Sequence, residues 1–560
     1  MKSVFFALTA AATAAAQWHG GAGGGWQGGH GGGWQGHGNG NGNGYGGHQG
    51  WQHGPPGGGD VAPLPPSSTR GNTTFTQLTD HNNPDVGTFQ QFYMWDTTYY
   101  KGPGSPIILF TPGEVNASAY TSYLGINRTT GVLAQEIGAA VIVIEHRYWG
   151  ASSPYTELTT ANMTYLTLDQ AVHDFTYFAN NVKLPFAKPG SNAKEVPWVW
   201  IGGSYSGALA AWIESVDPGT IWAYLASSAP VEAISDYWAY FLPVQEGMPQ
   251  NCSSDVNLVI EHMDTILTTG SAAEILELKT MFGLQNVTHN DDFMNVLENG
   301  PWLWQSNQFY TGYSGFFQWC DAIEGMTNAT NTTVRPGPEG VGLEKALAGY
   351  ASWVNTTFLP GYCETYGYDV FNGTYNTYCF NTYDPTSPIF TDTSLANTFN
   401  RQWEWMLCNE PFGYWQDGAP QGRSTLVSRL VDANYWIRQC GLYFPTEDGQ
   451  TYGIANGKTE AQENSYTGGW YIDNSTRLLY VNGGYDPWRE ASVSSELRPG
   501  GPLQSTEQVP VNIVPGGFHT SDLVTANGKA NTTVQAVIDK NVAQMAAWVA
   551  EWPKGWHWLA

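Results

Sequence analysis

Five short apolar runs stand out along the chain: "SPIILF" at 105–110, "AAVIVIEH" at 139–146, "VPWVWI" at 196–201, "RLLYV" at 477–481 and "VPVNIV" at 509–514. Each is rich in β-branched and aromatic side chains and is bounded by turn residues. That pattern predicts buried strands. Helical patterns lie between them, so the sheet is expected to be parallel with crossovers. Between about 235 and 460 the character changes. Helical stretches such as "DVNLVIEHMDTIL" dominate there, mixed with long polar loops. The pattern predicts an α/β domain in two parts, 61–234 and 461–560, with a separate helical block of 235–460 inserted between them.

The N-terminal region follows neither period. "MKSVFFALTAAATAAAQ" has a positive Lys2, an apolar core from Val4 to Leu8, and Ala14, Ala15 and Ala16 before Gln17. This reads as a secretory signal over residues 1–16. Residues 17–60 are rich in glycine, with Trp, Gln and His recurring. Such a segment buries too little apolar surface to offset its ordering entropy, so a disordered tail is expected. Its histidines, His19, His30, His37, His48 and His53, suit loose copper or nickel chelation, but a plain linker is the simpler reading. No metal or cofactor is expected in the folded part.

Cysteine usage supports secretion. All six, Cys252, Cys320, Cys363, Cys379, Cys408 and Cys440, fall inside the helical block. An even count in a secreted chain predicts disulfides, and six cysteines leave 15 pairings open. Twelve N-x-S/T sequons, Asn72, Asn116, Asn127, Asn286, Asn355 and Asn531 among them, point the same way. No later run approaches the length of a membrane-spanning helix. Lys plus Arg total 22 against 48 Asp plus Glu, a formal charge of −26. That argues against nucleic acid or anionic membrane as a partner. It suits a protein working in acid, where carboxylates lose their charge, and equally any acidic secreted protein. Oligomeric state is not indicated.

The chemistry gathers at the ends of the predicted strands. "VPWVWI" runs into "GGSYSGALAAWIE", a strand, a glycine turn and a helix. This is the setting of a nucleophile elbow, although neither serine completes G-x-S-x-G. Ser204 sits at the corner, with Gly202 two before it and the small Ser206 two after it. Ser206 falls inside the helix, where its hydroxyl is expected to bond backward to a carbonyl. Ser204 is therefore the candidate nucleophile. In such elbows the acid and then the histidine follow in sequence. His519, in "PGGFH" after the last strand, fits better than the terminal His557. Asp486, in "NGGYDPW" after "RLLYV", fits on order, whereas Asp473 and Asp522 do not. Ser204 would attack a carbonyl, His519 would move its proton, and Asp486 would hold the imidazole. The oxyanion donors are expected to be the backbone N–H of Tyr205 and one from "TPGEVN", at Gly113 or Glu114. His146 in "EHRYWG" is a rival base but precedes the serine; a structural role fits it better, with Arg147 and Glu145 paired nearby. Trp488 and Tyr205 are candidate walls of a substrate slot, with core packing as the plainer role for Trp488.

Several longer stretches carry a resemblance. "FTQLTDHNNPDVGTFQQFY", "EHRYWGASSPY", "GGSYSG", "NGGYDPW" and "PGGFHTSDL" resemble the family of lysosomal prolyl carboxypeptidase and dipeptidyl peptidase II. "LFTPGEVNA", "GPEGVGLEKALA", "SPIFTDTS" and "RQWEWMLCNEPF" are similar to its secreted fungal acid prolyl endoproteases. The resemblance runs from about Phe75 to about Trp548. It implies an α/β-hydrolase fold with a large, mainly helical, disulfide-bearing cap between the nucleophile and the acid. It also implies hydrolysis after proline in acid, and it places the family triad on Ser204, Asp486 and His519. The chain departs from the mammalian relatives at Ser206, where they have glycine, and at Thr520, where they often have histidine. The expected partners are proline-containing peptides and proteins, cut internally. A prolyl exopeptidase, a secreted esterase and a catalytically dead binding protein are the alternatives.

Overall fold

A computed structural model describes residues 69–187, 190–327, 334–472 and 474–553. The expected leader, the tail and His557 lie outside these residues. Eight strands form one sheet: β1 (Arg70–Leu78), β2 (Thr88–Asp96), β3 (Ile107–Phe110), β4 (Ala140–Ile144), β5 (Trp198–Gly203), β6 (Ala223–Ser227), β9 (Leu478–Gly483) and β10 (Val511–Val514). Their order is β1-β2-β4-β3-β5-β6-β9-β10. β2 pairs antiparallel with β1 and β4, and every other pairing is parallel. This is the α/β-hydrolase sheet. The five apolar runs became β3, β4, β5, β9 and β10.

Side-chain alternation divides the sheet between two cores. Ile108, Val141, Val199, Leu225 and Leu479 face one side and pack with α1 (Thr129–Ile137) and the C-terminal helix Thr532–Ala550. Ile107, Ile142, Trp200, Tyr224 and Tyr480 face the other, with α2 (Leu168–Asn181) and α3 (Tyr205–Val216). Burial on both faces is why the central strands read as continuous apolar runs. The register aligns their C-terminal ends: Gly203 lies opposite Ser227, Ser227 opposite Val481, and Gly483 opposite Val514.

The helical block lies between β6 and β9. Its entry strand β7 (Ile234–Asp236) pairs in parallel with β8 (Gly413–Trp415), forming a small sheet. Its helices include α4 (Gln250–Thr269), α5 (Gly315–Ile323), α6 (Arg401–Asn409) and α7 (Ala433–Tyr443). Three disulfides close within it. Cys252–Cys320 joins α4 to α5, Cys408–Cys440 joins α6 to α7, and Cys363–Cys379 ties the region between. The apolar core of the cap is continuous with that of the sheet: Phe412 stacks on Trp212 of α3 at 5.3 Å. Among the described residues no helix is long and apolar enough to cross a membrane.

The Arg147–Glu145 pair expected from sequence does not form. The fully buried guanidinium of Arg147 instead grips Asp174 of α2, donating from Nε at 2.7 Å and from a terminal nitrogen at 2.5 Å. A planar fork matches a carboxylate in this way. Burial pushes the Asp174 carboxyl up, but Arg147 and His81 outweigh it and hold the group below its ordinary value. Glu145 accepts instead from the N–H groups of Ala117 and Ala151 and from the Ser152 hydroxyl.

Candidate active site

β5 ends at Gly203, and α3 begins at Tyr205. Ser204 makes the corner with φ 59° and ψ −131°. Such a turn holds a serine side chain proud of both elements. Two glycines permit it. A Cβ at Gly202 would lie 2.0 Å from the carbonyl oxygen of Ser206, and one at Gly207 would lie 2.5 Å from that of Ser227. Ser206 is buried, and its hydroxyl has no hydrogen-bond partner, so the backward bond expected of it is absent.

The acid and the histidine arrive from the neighbouring strand ends. A Cβ at Gly483 would lie 2.5 Å from the carbonyls of Gly517 and Phe518, so the loops after β9 and β10 meet there. Asp486 is fully buried, and its Oδ1 accepts from His519 Nδ1 at 3.0 Å and from the Trp488 N–H at 3.0 Å. A carboxylate only accepts, so the proton of this bond sits on Nδ1. His519 Nε2 and Ser204 Oγ each lack a partner. In unliganded sites this bond is often open and tightens when substrate binds.

Two serines missed by sequence reasoning join these parts. Ser204 N–H donates to the Ser227 carbonyl at 2.9 Å, and the Ser227 hydroxyl donates to Asp522 Oδ1 at 2.5 Å. Thr520 N–H, next to the histidine, donates to the Ser228 hydroxyl at 2.8 Å. "LASSAP" carries no motif that marks these residues; only the sheet register brings them here. Asp522, set aside as the acid on sequence order, serves Ser227. Burial pushes its carboxyl up to about 7.

Tyr205 is the first residue of α3, where an N–H has no partner within the helix. Gly113, at φ 79°, lies against it: a Cβ there would be 3.3 Å from the Tyr205 ring. The Gly113 N–H reaches Thr111 Oγ1 at 3.3 Å, and the Glu114 carbonyl accepts from Asn400 of the cap at 3.2 Å. Burial pushes the Glu114 carboxyl up to about 7.

The Tyr205 ring turns into the core, packing with Trp212, Trp403 and Phe412. His146 Nδ1 faces the Arg147 carbonyl at 2.9 Å and must carry the proton, so Nε2 accepts from the Tyr205 hydroxyl at 3.0 Å. Both ring nitrogens are thus engaged, and burial drives its pKa down to about 4. His146 is a neutral structural histidine. Trp488 is buried too. Its ring stacks on Tyr237 at 5.7 Å and lies 6.4 Å from the His519 ring.

One cap segment reaches the loops of both Asp486 and His519. Trp304 Nε1 donates to the carbonyl of Tyr485, just before the acid, at 2.8 Å. Gln305 Oε1 accepts from Trp488 Nε1 at 2.8 Å. Gln308 Nε2 donates to the His519 carbonyl at 2.9 Å. Nothing in the linear pattern marks these three residues. Among the described residues no group of three or more His, Cys, Asp or Glu is placed to hold a metal ion.

Known proteins are similar to this chain over most of its length. "Serine protease vicPa" of Bipolaris victoriae is 43% identical over 492 residues, 88% of this chain and 91% of its own. "Probable extracellular serine carboxypeptidase" of Arthroderma benhamiae is 30% identical, over 84% of this chain and 64% of its own. "Thymus-specific serine protease" of Homo sapiens is 25% identical, over 75% and 77%. The model of the serine carboxypeptidase S28 family matches residues 77–540, a span that takes in the elbow, the acid loop and the histidine loop. The chain belongs to the serine carboxypeptidase S28 family of serine peptidases.

Proposed function

We propose that this peptidase is secreted and cuts peptides on the carboxyl side of proline, internally and in acid, through Ser204, His519 and Asp486. The observation that carries the chemistry is the buried Asp486–His519 pair, which leaves Nε2 free at the sheet edge where Ser204 stands. His519 takes the Ser204 proton as Oγ attacks the carbonyl carbon. Asp486 fixes the tautomer and stabilises the imidazolium. The Tyr205 N–H and one from the Gly113–Glu114 turn receive the oxyanion. His519 then protonates the leaving amine. Water repeats the sequence on the acyl-enzyme, and Ser204 is restored.

Proline specificity rests on the motifs shared with prolyl peptidases and on the rigid aromatic surroundings of the acid loop. A compact, stiff ring loses little entropy in such a slot. Secretion is supported by the three disulfides and by the extracellular relative. Internal cleavage is supported by Arg489, the cation next to the acid loop. Its guanidinium is taken up by Glu246 and Glu490 and is not offered to a free carboxylate. The carboxypeptidase reading draws on the name of that same relative.

A proline peptide, acetylated and amidated at its ends and extended on both sides, separates these readings. Mass spectrometry is expected to find it cut after proline at pH 4–5. If only the unblocked peptide is trimmed, the enzyme is an exopeptidase. If short esters turn over and neither peptide does, the peptidase reading fails.

A further inference from the structure

The loop that carries His519 is held at four successive residues. Phe518 N–H donates to the Ser521 hydroxyl at 2.8 Å, and Thr520 N–H to Ser228 at 2.8 Å. Ser521 offers its carbonyl to Asn527 Nδ2 at 3.0 Å. These three anchors belong to the hydrolase domain. The anchor on His519 itself comes from the cap, where Gln308 Nε2 meets its carbonyl.

Gln308 is not a loose surface amide. It is 4% exposed, and Asn527 is fully buried. Asn527 Nδ2 donates to Gln308 Oε1 at 2.5 Å, and Asn527 Oδ1 accepts from the Phe309 N–H at 2.9 Å. The two amides therefore close on each other across the domain boundary. Gln308 keeps its amide nitrogen for donation, and one of the two N–H groups meets the backbone carbonyl of the base. Two neighbours from the same segment, Trp304 and Gln305, hold the acid loop at Tyr485 and Trp488.

We infer that Gln308 is a positioning residue for the reaction: clamped by Asn527, it sets the height of His519 over Ser204, so the base is in register only while the cap is seated. A hydrogen bond between Nε2 and Oγ tolerates little displacement, and a misplacement of about 1 Å can cost about 100-fold in rate. The hydrolase domain fixes the residues on either side of His519. The cap adds the second hold on the peptide unit that follows His519: Ser228 takes its N–H and Gln308 its carbonyl. This inference rests on the proposed triad.

The test uses the full-length enzyme and a fluorophosphonate, which needs the nucleophile and base but no particular peptide. If wild type is not labelled, or Ser204→Ala is labelled equally, the triad reading falls. With labelling of Ser204 established, Gln308→Ala is expected to slow both labelling and kcat by about 10- to 100-fold. KM should stay within about twofold, because the residue holds the base and not the substrate. Unchanged rates per folded molecule would overturn the inference.

Gln308→Glu keeps the size and the bond from Asn527, and it covers the case in which the alanine variant does not fold. As an acid it donates an O–H to the His519 carbonyl; as a carboxylate it has no proton to give. The other titratable groups of this region, His519, Asp486 and Asp522 of the hydrolase domain and Tyr310 of the cap, are the same in both proteins, so the ratio of variant to wild-type rate is the readout. That ratio is expected near one at about pH 4, where a glutamic acid is largely protonated, and to fall towards pH 7. A ratio that stays flat across this range would overturn the proposal.

Discussion

Ser204→Ala is expected to lower kcat by about five orders of magnitude or more, with yield and melting temperature at wild-type levels. Removing a serine nucleophile eliminates the covalent path, and only oxyanion stabilisation and binding remain. The fold has no reason to respond, because Ser204 Oγ makes no hydrogen bond. Ser206→Ala, two residues on, should change kcat by less than about twofold. Its hydroxyl is also unbonded, and alanine fits the helix. Kinetics on one peptide, with circular dichroism on each variant, checks both. A dead Ser206→Ala beside an active Ser204→Ala would reassign the elbow.

The protein is expected to be most stable near pH 4–5 and to lose stability towards pH 8. Burial pushes the carboxyls of Glu114, Glu145 and Asp522 up to about 7, Glu404 to about 8 and Asp417 to about 10. Each binds its proton more tightly folded than unfolded. Over the interval between the two values the native state holds the extra protons, so stability falls as pH rises. Other groups act the opposite way, two of them deeply buried. His146, held down at about 4, and Asp174, held low by its partners, lose their contributions on acidification. They set the acid limit, and the buried carboxyls set the alkaline one. At about 2.1 cal/mol/K per residue, a chain this long moves about 1 °C per kcal/mol. A Tm lower by about 5–10 °C at pH 8 than at pH 4.5 is expected in calorimetry at constant ionic strength. A Tm that rises over that range would contradict it.

The candidate triad was legible as a set because each proposed member is introduced by an apolar run and a glycine turn, and a parallel sheet delivers such turns to one edge. β6 escaped notice because "AYLAS" is small and weakly β-forming, although it is central in the sheet. β1 and β2 were missed because the polar faces of an antiparallel edge dilute the apolar signal. Arg147 found Asp174, 27 residues away, in preference to its near neighbour Glu145. Local order cannot weigh a bidentate partner on a distant helix. The cysteine pairing and the cap contacts of Gln308 depend on tertiary placement and leave no periodic trace. The glycine positions did carry information. Gly202 was legible as a tight-turn residue, while the need for Gly207 appears only once β6 is beside it.

The corner at Ser204 has a consequence for the economy of the fold. A side chain held at φ 59° with an extended ψ occupies backbone space that glycine enters freely and other residues do not. Holding a non-glycine residue in such a region costs about 1–3 kcal/mol. The native state is less stable by that amount so that a hydroxyl can stand at this point. Ser204→Gly should therefore melt above wild type, while Ser204→Ala, which keeps its Cβ, should not. The tension shown by such a result is between activity and persistence: at this residue the most durable version of the protein is one without the proposed nucleophile.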